Sequence, residues 1–151
     1  MAWEVEFFEE EGGRYPVREF LDDLEPAKRM AMIAAIEVIL MPRGLAVCET
    51  EYGRQLGDGL FEFRVRHDEQ TTRAKIGDAS AADGARRRGD VLLRLFCHAY
   101  GQKVVLLLGG YDKGADPSGR RQSREIEKAR RRLRSFRLRR ERAKAAARRR
   151  S

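Results

Sequence analysis

The sequence predicts an α+β fold: one mainly antiparallel β-sheet, a helical hairpin on one side, and a basic C-terminal helix. Three observations carry this. Alternating apolar and polar residues mark strands near the start and middle of the chain, proline-opened stripes at helical spacing follow the first strand, and arginine dominates the end. At 151 residues one domain with a sizeable core is the default.

Trp3–Phe8 alternates, with Trp3, Val5 and Phe7 on one side and Glu4 and Glu6 on the other, as a strand with one buried face does. Gly12 and Gly13 break it. Pro16 stands where a first-turn proline belongs, and Val17, Phe20, Leu21 and Leu24 follow at helical spacing. Pro26 opens a second helix, whose stripe of Met30, Ile33, Ile36, Ile39 and Leu40 ends at Pro42 and Gly44. Leu60–Arg66 alternates again after an entry turn at Gly57 and Gly59. It sets Phe61, Phe63 and Val65 against a polar face of Glu62, Arg64 and Arg66. Residues 69–90 read as a long mobile loop with a short strand at 74–76. Val91–His98 and Lys103–Gly110 are two further strands, and the few residues between them favour an antiparallel hairpin. A turn-rich link leads to a helix beginning near Ser118, with Ile126, Ala129, Leu133 and Phe136 as its apolar stripe. Beyond about Leu138 the stripe ends, and the arginine-rich extension 137–151 is expected to fray.

Composition narrows the function. Two cysteines, Cys48 and Cys97, cannot make a disulfide scaffold, and the apolar run Val104–Leu108 is far short of a membrane span, so none is expected. The acidic start is unlike a signal peptide, so a soluble cytoplasmic domain is expected. The net charge of +8 is uneven. Residues 118–151 hold 16 basic and 3 acidic side chains, against 16 basic and 21 acidic before them. That asymmetry points to a polyanion such as nucleic acid; a solvated helix that aids solubility is the plainer alternative.

No metal-ligand spacing is visible among His67, His98, Cys48 and Cys97, and Cys97 and His98, adjacent on a strand, point to opposite faces. What stands out is cations. Arg64 and Arg66 share one strand face, Arg94 interrupts the apolar strand Val91–Phe96, and Lys113 lies just past the next strand. With neighbouring strands, Arg64, Arg94 and Lys113 converge on a positive site suited to phosphate. Alternatively, the two arginines pair with Glu62, Asp90 or a helix carboxylate. Both readings stay open here.

Leu56–Arg64 resembles the RelE/HigB superfamily of toxins from type II toxin–antitoxin systems, closest to the phage-derived HigB-like branch. Pro16–Leu21, Arg94 within Leu93–Phe96, and Val104–Lys113 followed by Arg124–Ala129 match further segments in order, so that the resemblance spans residues 3–136. It implies a ribosome-dependent endoribonuclease without metal or cofactor, acting on mRNA in the ribosomal A site. The mRNA 2′-hydroxyl attacks its own adjacent phosphate. Arg64 would stabilise the phosphate, Arg94 assist it, and Lys113 act on the nucleophile or leaving oxygen. Arg66, His98, Lys103, Tyr111, Arg120, Arg121 and Arg124 are the candidate RNA contacts, with Tyr111 able to stack on a base; His98 and Tyr111 can equally be structural. A helix-turn-helix, HigA-like antitoxin is the implied partner, and no membrane is. The chain departs from the family in its 69–90 loop and in Lys113-Gly114 where two lysines are usual. Rival expectations are a ParE-like gyrase inhibitor sharing the fold, and a non-catalytic nucleic-acid-binding protein acting through the basic helix.

Overall fold

The structure, a computed structural model, describes residues 2–67 and 91–150. The expected loop at 69–90 and strand at 74–76 lie outside them. The described chain is α+β: a five-stranded sheet in the order β1-β5-β4-β3-β2, with helices on both faces. β1 (Glu4–Phe7) runs parallel to β5 (Val104–Asp112); the other neighbours, β5 with β4 (Val91–Tyr100), β4 with β3 (Leu60–His67) and β3 with β2 (Gly53–Gly57), are antiparallel.

Helix α1 (Pro16–Asp23) and helix α2 (Pro26–Ala35) both open on proline, whose fixed φ and missing N–H suit a first turn. Arg29 ties the hairpin together by donating to the carbonyls of Leu21, Asp22 and Leu24. After Ala35 the helix continues through a π turn (Ile36–Leu40) and a short α turn (Met41–Arg43) into a 3-10 segment (Gly44–Glu49). The buried line is Met32, Ala35, Ile36, Leu40 and Val47, so the expected stripe needs correcting: Met30 is 71% exposed and Ile33 40%. The wider π turn shifts the inward face, and Val38 turns outward. Gly44 ends this run at φ +54°, where a Cβ would stand 2.1 Å from the Trp3 indole. Pro26–Glu49 also has the length and hydropathy of a membrane span (mean hydropathy 1.8), contrary to the sequence expectation, and here its inward face packs on the sheet.

β2 was not expected, because Gly53-Arg54-Gln55-Leu56-Gly57 has no β-branched residue. It is held by a two-residue hairpin, Asp58-Gly59, with both residues at positive φ. The expected β4–β5 hairpin is present. Under α1 and α2 lie Phe61, Phe63 and Val65, with Leu93, Leu95, Cys97, Val105 and Leu107. The opposite face carries Leu60, Phe96, Leu106, Leu108 and Tyr111, covered by Ala129 and Leu133 of helix α3 (Gly119–Arg150). Each of the large side chains fully buried here is worth about 1.5–3 kcal/mol relative to exposure.

α3 is capped by Ser118, whose hydroxyl accepts from the Arg121 amide at 3.2 Å. It runs unbroken to Arg150, so the expected fraying after Leu138 is not observed. Its arginines fasten it to the sheet. Arg130 donates to the Leu56 and Gly57 carbonyls, Arg132 to Leu108 and Arg137 to Asp58, while Arg139 donates to Glu9 and lies over the Phe8 ring.

Candidate functional site: a cation cluster under the terminal helix

β-sheet register builds the site. Arg64 on β3 pairs directly with Arg94 on β4, and Arg94 with Tyr111 on β5; one step along, Arg54 pairs with Glu62 and Glu62 with Phe96. Tyr111 reaches this face through a bulge. The β4–β5 register slips between Phe96 and Cys97, where Leu107 and Gly109 are successive partners on β5 and Leu108 is the extra residue. A one-residue insertion reverses the facing of everything beyond it. Without it, Tyr111 would lie under α1. Gly109 and Gly110 make the bulge affordable in space: a Cβ on Gly110 would stand 2.7 Å from the Phe20 ring, and one on Gly109 3.0 Å from Arg132.

Glu62 is fully buried and sits among three guanidinium groups: Arg94 Nε at 3.1 Å, Arg64 Nε at 3.5 Å and Arg54 Nε at 3.7 Å. The ion-pair alternative for Arg64 and Arg94 is therefore what is observed, and Glu62 is not on a solvated face as its strand pattern suggested. One carboxylate against three arginines leaves the cluster positive. These contacts are close in distance but poorly aligned. Both Glu62 oxygens, Arg64 Nε, Arg94 Nε and the Tyr111 hydroxyl have no hydrogen-bond partner among the described residues. They are the full set of such buried side-chain atoms there, and all five lie in this one cluster.

Access differs among the cations. Arg94's side chain is 10% exposed and also donates to its own Leu93 carbonyl at 3.2 Å, whereas Arg64's is 33% exposed. Burial lowers the Arg94 pKa, with Glu62 opposing. Burial raises that of Tyr111, and the Glu62 charge adds to the rise. From α3, Arg121 lies over the Tyr111 ring at 5.5 Å and bonds Glu125 at 3.1 Å, which also takes Lys128 at 3.2 Å. Lys113 is half-buried, two residues beyond Tyr111. Its amide and that of Gly114 both bond the Leu92 carbonyl, and Asp112 beside it takes Lys28 at 2.6 Å. Arg66 is exposed at the same end, opposite Leu92 in register.

The fold thus gathers Arg64, Arg94, Tyr111 and Arg121, with Lys113 and Arg66 at the adjoining sheet end. It does not gather the rest. Tyr111 is 1% exposed, stacked on Phe96 and covered by Arg121, which corrects the expectation that it offers a ring to a base. His98 is packed too. Its Nδ1–H donates to the Gly59 carbonyl at 2.8 Å, and its ring meets Tyr100 and Phe136, so the structural reading fits its surroundings. Lys103 is exposed at the β4–β5 turn, roughly 20 Å from Arg94 at strand rise. Arg120 and Arg124 are exposed on α3 away from the cluster.

Sequence reasoning missed Arg54, because β2 was missed, and Glu125, whose burial depends on α3 docking. The glycine pair was the one available signal for the bulge. Among the described residues no three His, Cys, Asp or Glu side chains are grouped to hold a metal. Cys97 is buried, which pushes its thiol well up and leaves it unreactive. No family model and no curated protein matches the chain.

Proposed function

We propose that the protein is a ribosome-dependent mRNA endonuclease, the toxin of a type II toxin–antitoxin pair, and that the Arg64–Arg94 cluster is its active site. The observation that carries this reading is the concentration of unsatisfied buried polar atoms in one net-positive site. Folded proteins keep few such groups, and a functional site is one of the places where they are kept. A phosphodiester is a fitting ligand: its anionic oxygens accept from guanidinium groups.

The reaction needs no strong base from the protein. The 2′-oxygen attacks the adjacent phosphorus, the bond to the 5′-oxygen breaks, and the proton lost at one oxygen is replaced at the other. The products are a 2′,3′-cyclic phosphate and a 5′-hydroxyl end. Arg64, the more exposed arginine, contacts the phosphate and stabilises charge developing on it. Arg94 is a positioning residue: it holds Glu62, which in turn orients Arg64. Lys113, at the rim, assists the leaving or attacking oxygen. Because α3 covers Tyr111, the substrate enters from the sheet end that carries Arg66 and Lys113. The reading includes a cytoplasmic location and a helix-turn-helix antitoxin that blocks this entrance.

End chemistry tests it. RNA recovered from a translation reaction containing the protein should carry new 5′-hydroxyl ends, which polynucleotide kinase labels without prior phosphatase treatment. New ends that label only after phosphatase treatment would refute the 2′-hydroxyl mechanism.

A further inference from the structure

Twelve of the fourteen arginines of α3 divide into two sets. Those that face the sheet or its edges are engaged: Arg121, Arg130, Arg132, Arg137, Arg139 and Arg140 each hold a carbonyl, a carboxylate or an aromatic ring. The other set does none of this. Arg120, Arg124, Arg131, Arg134, Arg142 and Arg149 are exposed, with no side-chain hydrogen bond or ion pair among the described residues. Their spacing of 4, 7, 3, 8 and 7 residues puts them within about 40° of one line along the helix. That line lies opposite Ala129 and Phe136, which face the sheet. It extends roughly 44 Å and carries one acidic residue, Glu127.

We infer that this stripe is a second nucleic-acid site, separate from the cation cluster, which grips the phosphate backbone of double-stranded RNA without reading sequence. Guanidinium matches phosphate bidentately, and a straight row of them suits a ligand whose charges repeat along an axis. The stripe holds no Asn, Gln or aromatic residue to reach a base edge. An anionic membrane fits less well: the helix's apolar residues are spent on the sheet, leaving Leu138 as its one large exposed apolar side chain. The choice of RNA over DNA rests on the endonuclease reading above.

The test is binding of the full chain to a 20-base-pair RNA duplex between 50 and 200 mM salt, beside the triple variant Arg124→Gln, Arg131→Gln, Arg134→Gln and the single variant Arg18→Gln. Six phosphate contacts predict a roughly 1,000-fold loss of wild-type affinity across that range, and three predict about 40-fold for the triple variant. Circular dichroism melting checks that the triple variant is folded, since its changes touch no core residue. Arg18→Gln, an exposed cation on α1 outside both sites, should bind the duplex as the wild type does. An unchanged salt response in the triple variant overturns the proposal, and so does loss of duplex binding in Arg18→Gln. Tighter binding to the matching DNA duplex, or to vesicles of anionic lipid, overturns the assignment to RNA. If the salt response behaves as stated while mRNA stays intact in a translation reaction containing the protein, the stripe stands and the nuclease reading falls.

Discussion

Glu62 decides how the cluster holds together. A carboxylate removed from water is unfavourable alone, and three nearby guanidinium groups compensate it. The converse also holds, because Arg94 is nearly as buried. Glu62→Gln should therefore destabilise the fold by about 3 kcal/mol, the cost typical of leaving one charge of a buried pair unmatched. Urea unfolding measures this, and an unchanged midpoint would mean that Arg94 does not depend on the carboxylate. At this scale the two arginines were legible in the sequence: one shares a strand face with Arg66, and the other interrupts an apolar strand. The burial of Glu62 was not. Alternation assigns polar residues to a solvated face, and the helix that covers that face comes some sixty residues later in the chain.

Elements explain the rest of the site. The bulge in β5 moves Tyr111 from one core to the other, and only Gly109-Gly110 hinted at it. The π turn likewise displaced the stripe of α2 from the positions that regular spacing assigned. The docking of α3 depends on a small junction in which His98, Tyr100 and Phe136 pack together and Tyr100 bonds Glu6. Burial lowers the His98 pKa there, with the Gly59 bond opposing and Arg137 and Arg140 adding to the fall. Above the unfolded histidine pKa of about 6.5 both states are neutral and the junction contributes its full stability. As pH falls below that value the unfolded chain takes a proton that the folded one refuses, so stability declines until the folded pKa is reached. Melting temperatures should drop between pH 7.5 and 5.5, and His98→Gln should flatten the dependence. An unaltered slope in that variant would assign the effect elsewhere.

At the scale of the whole molecule, the sheet separates two different ways of packing. On one face aliphatic and aromatic side chains from α1 and α2 fill the core; on the other, a narrow apolar strip is flanked by arginines that hold sheet carbonyls. The fold class and the charge asymmetry were both legible, since each is a property of long stretches of chain. What composition could not reveal is that the basic end divides its charge, part fastening α3 to the body and part facing solvent in a stripe. The result is a molecule with a confined positive cluster at one sheet end and a long positive line along its outside.

The most direct test of the cluster's role is primer extension on mRNA in a reconstituted translation reaction, with wild type, Arg64→Ala and Lys113→Ala, each with and without ribosomes. The expected result is cuts within codons that require ribosomes and fall at least about 100-fold in either variant, the loss typical when a charge-stabilising group is removed. Intact mRNA with translation still running, or cutting undiminished in both variants, would contradict it.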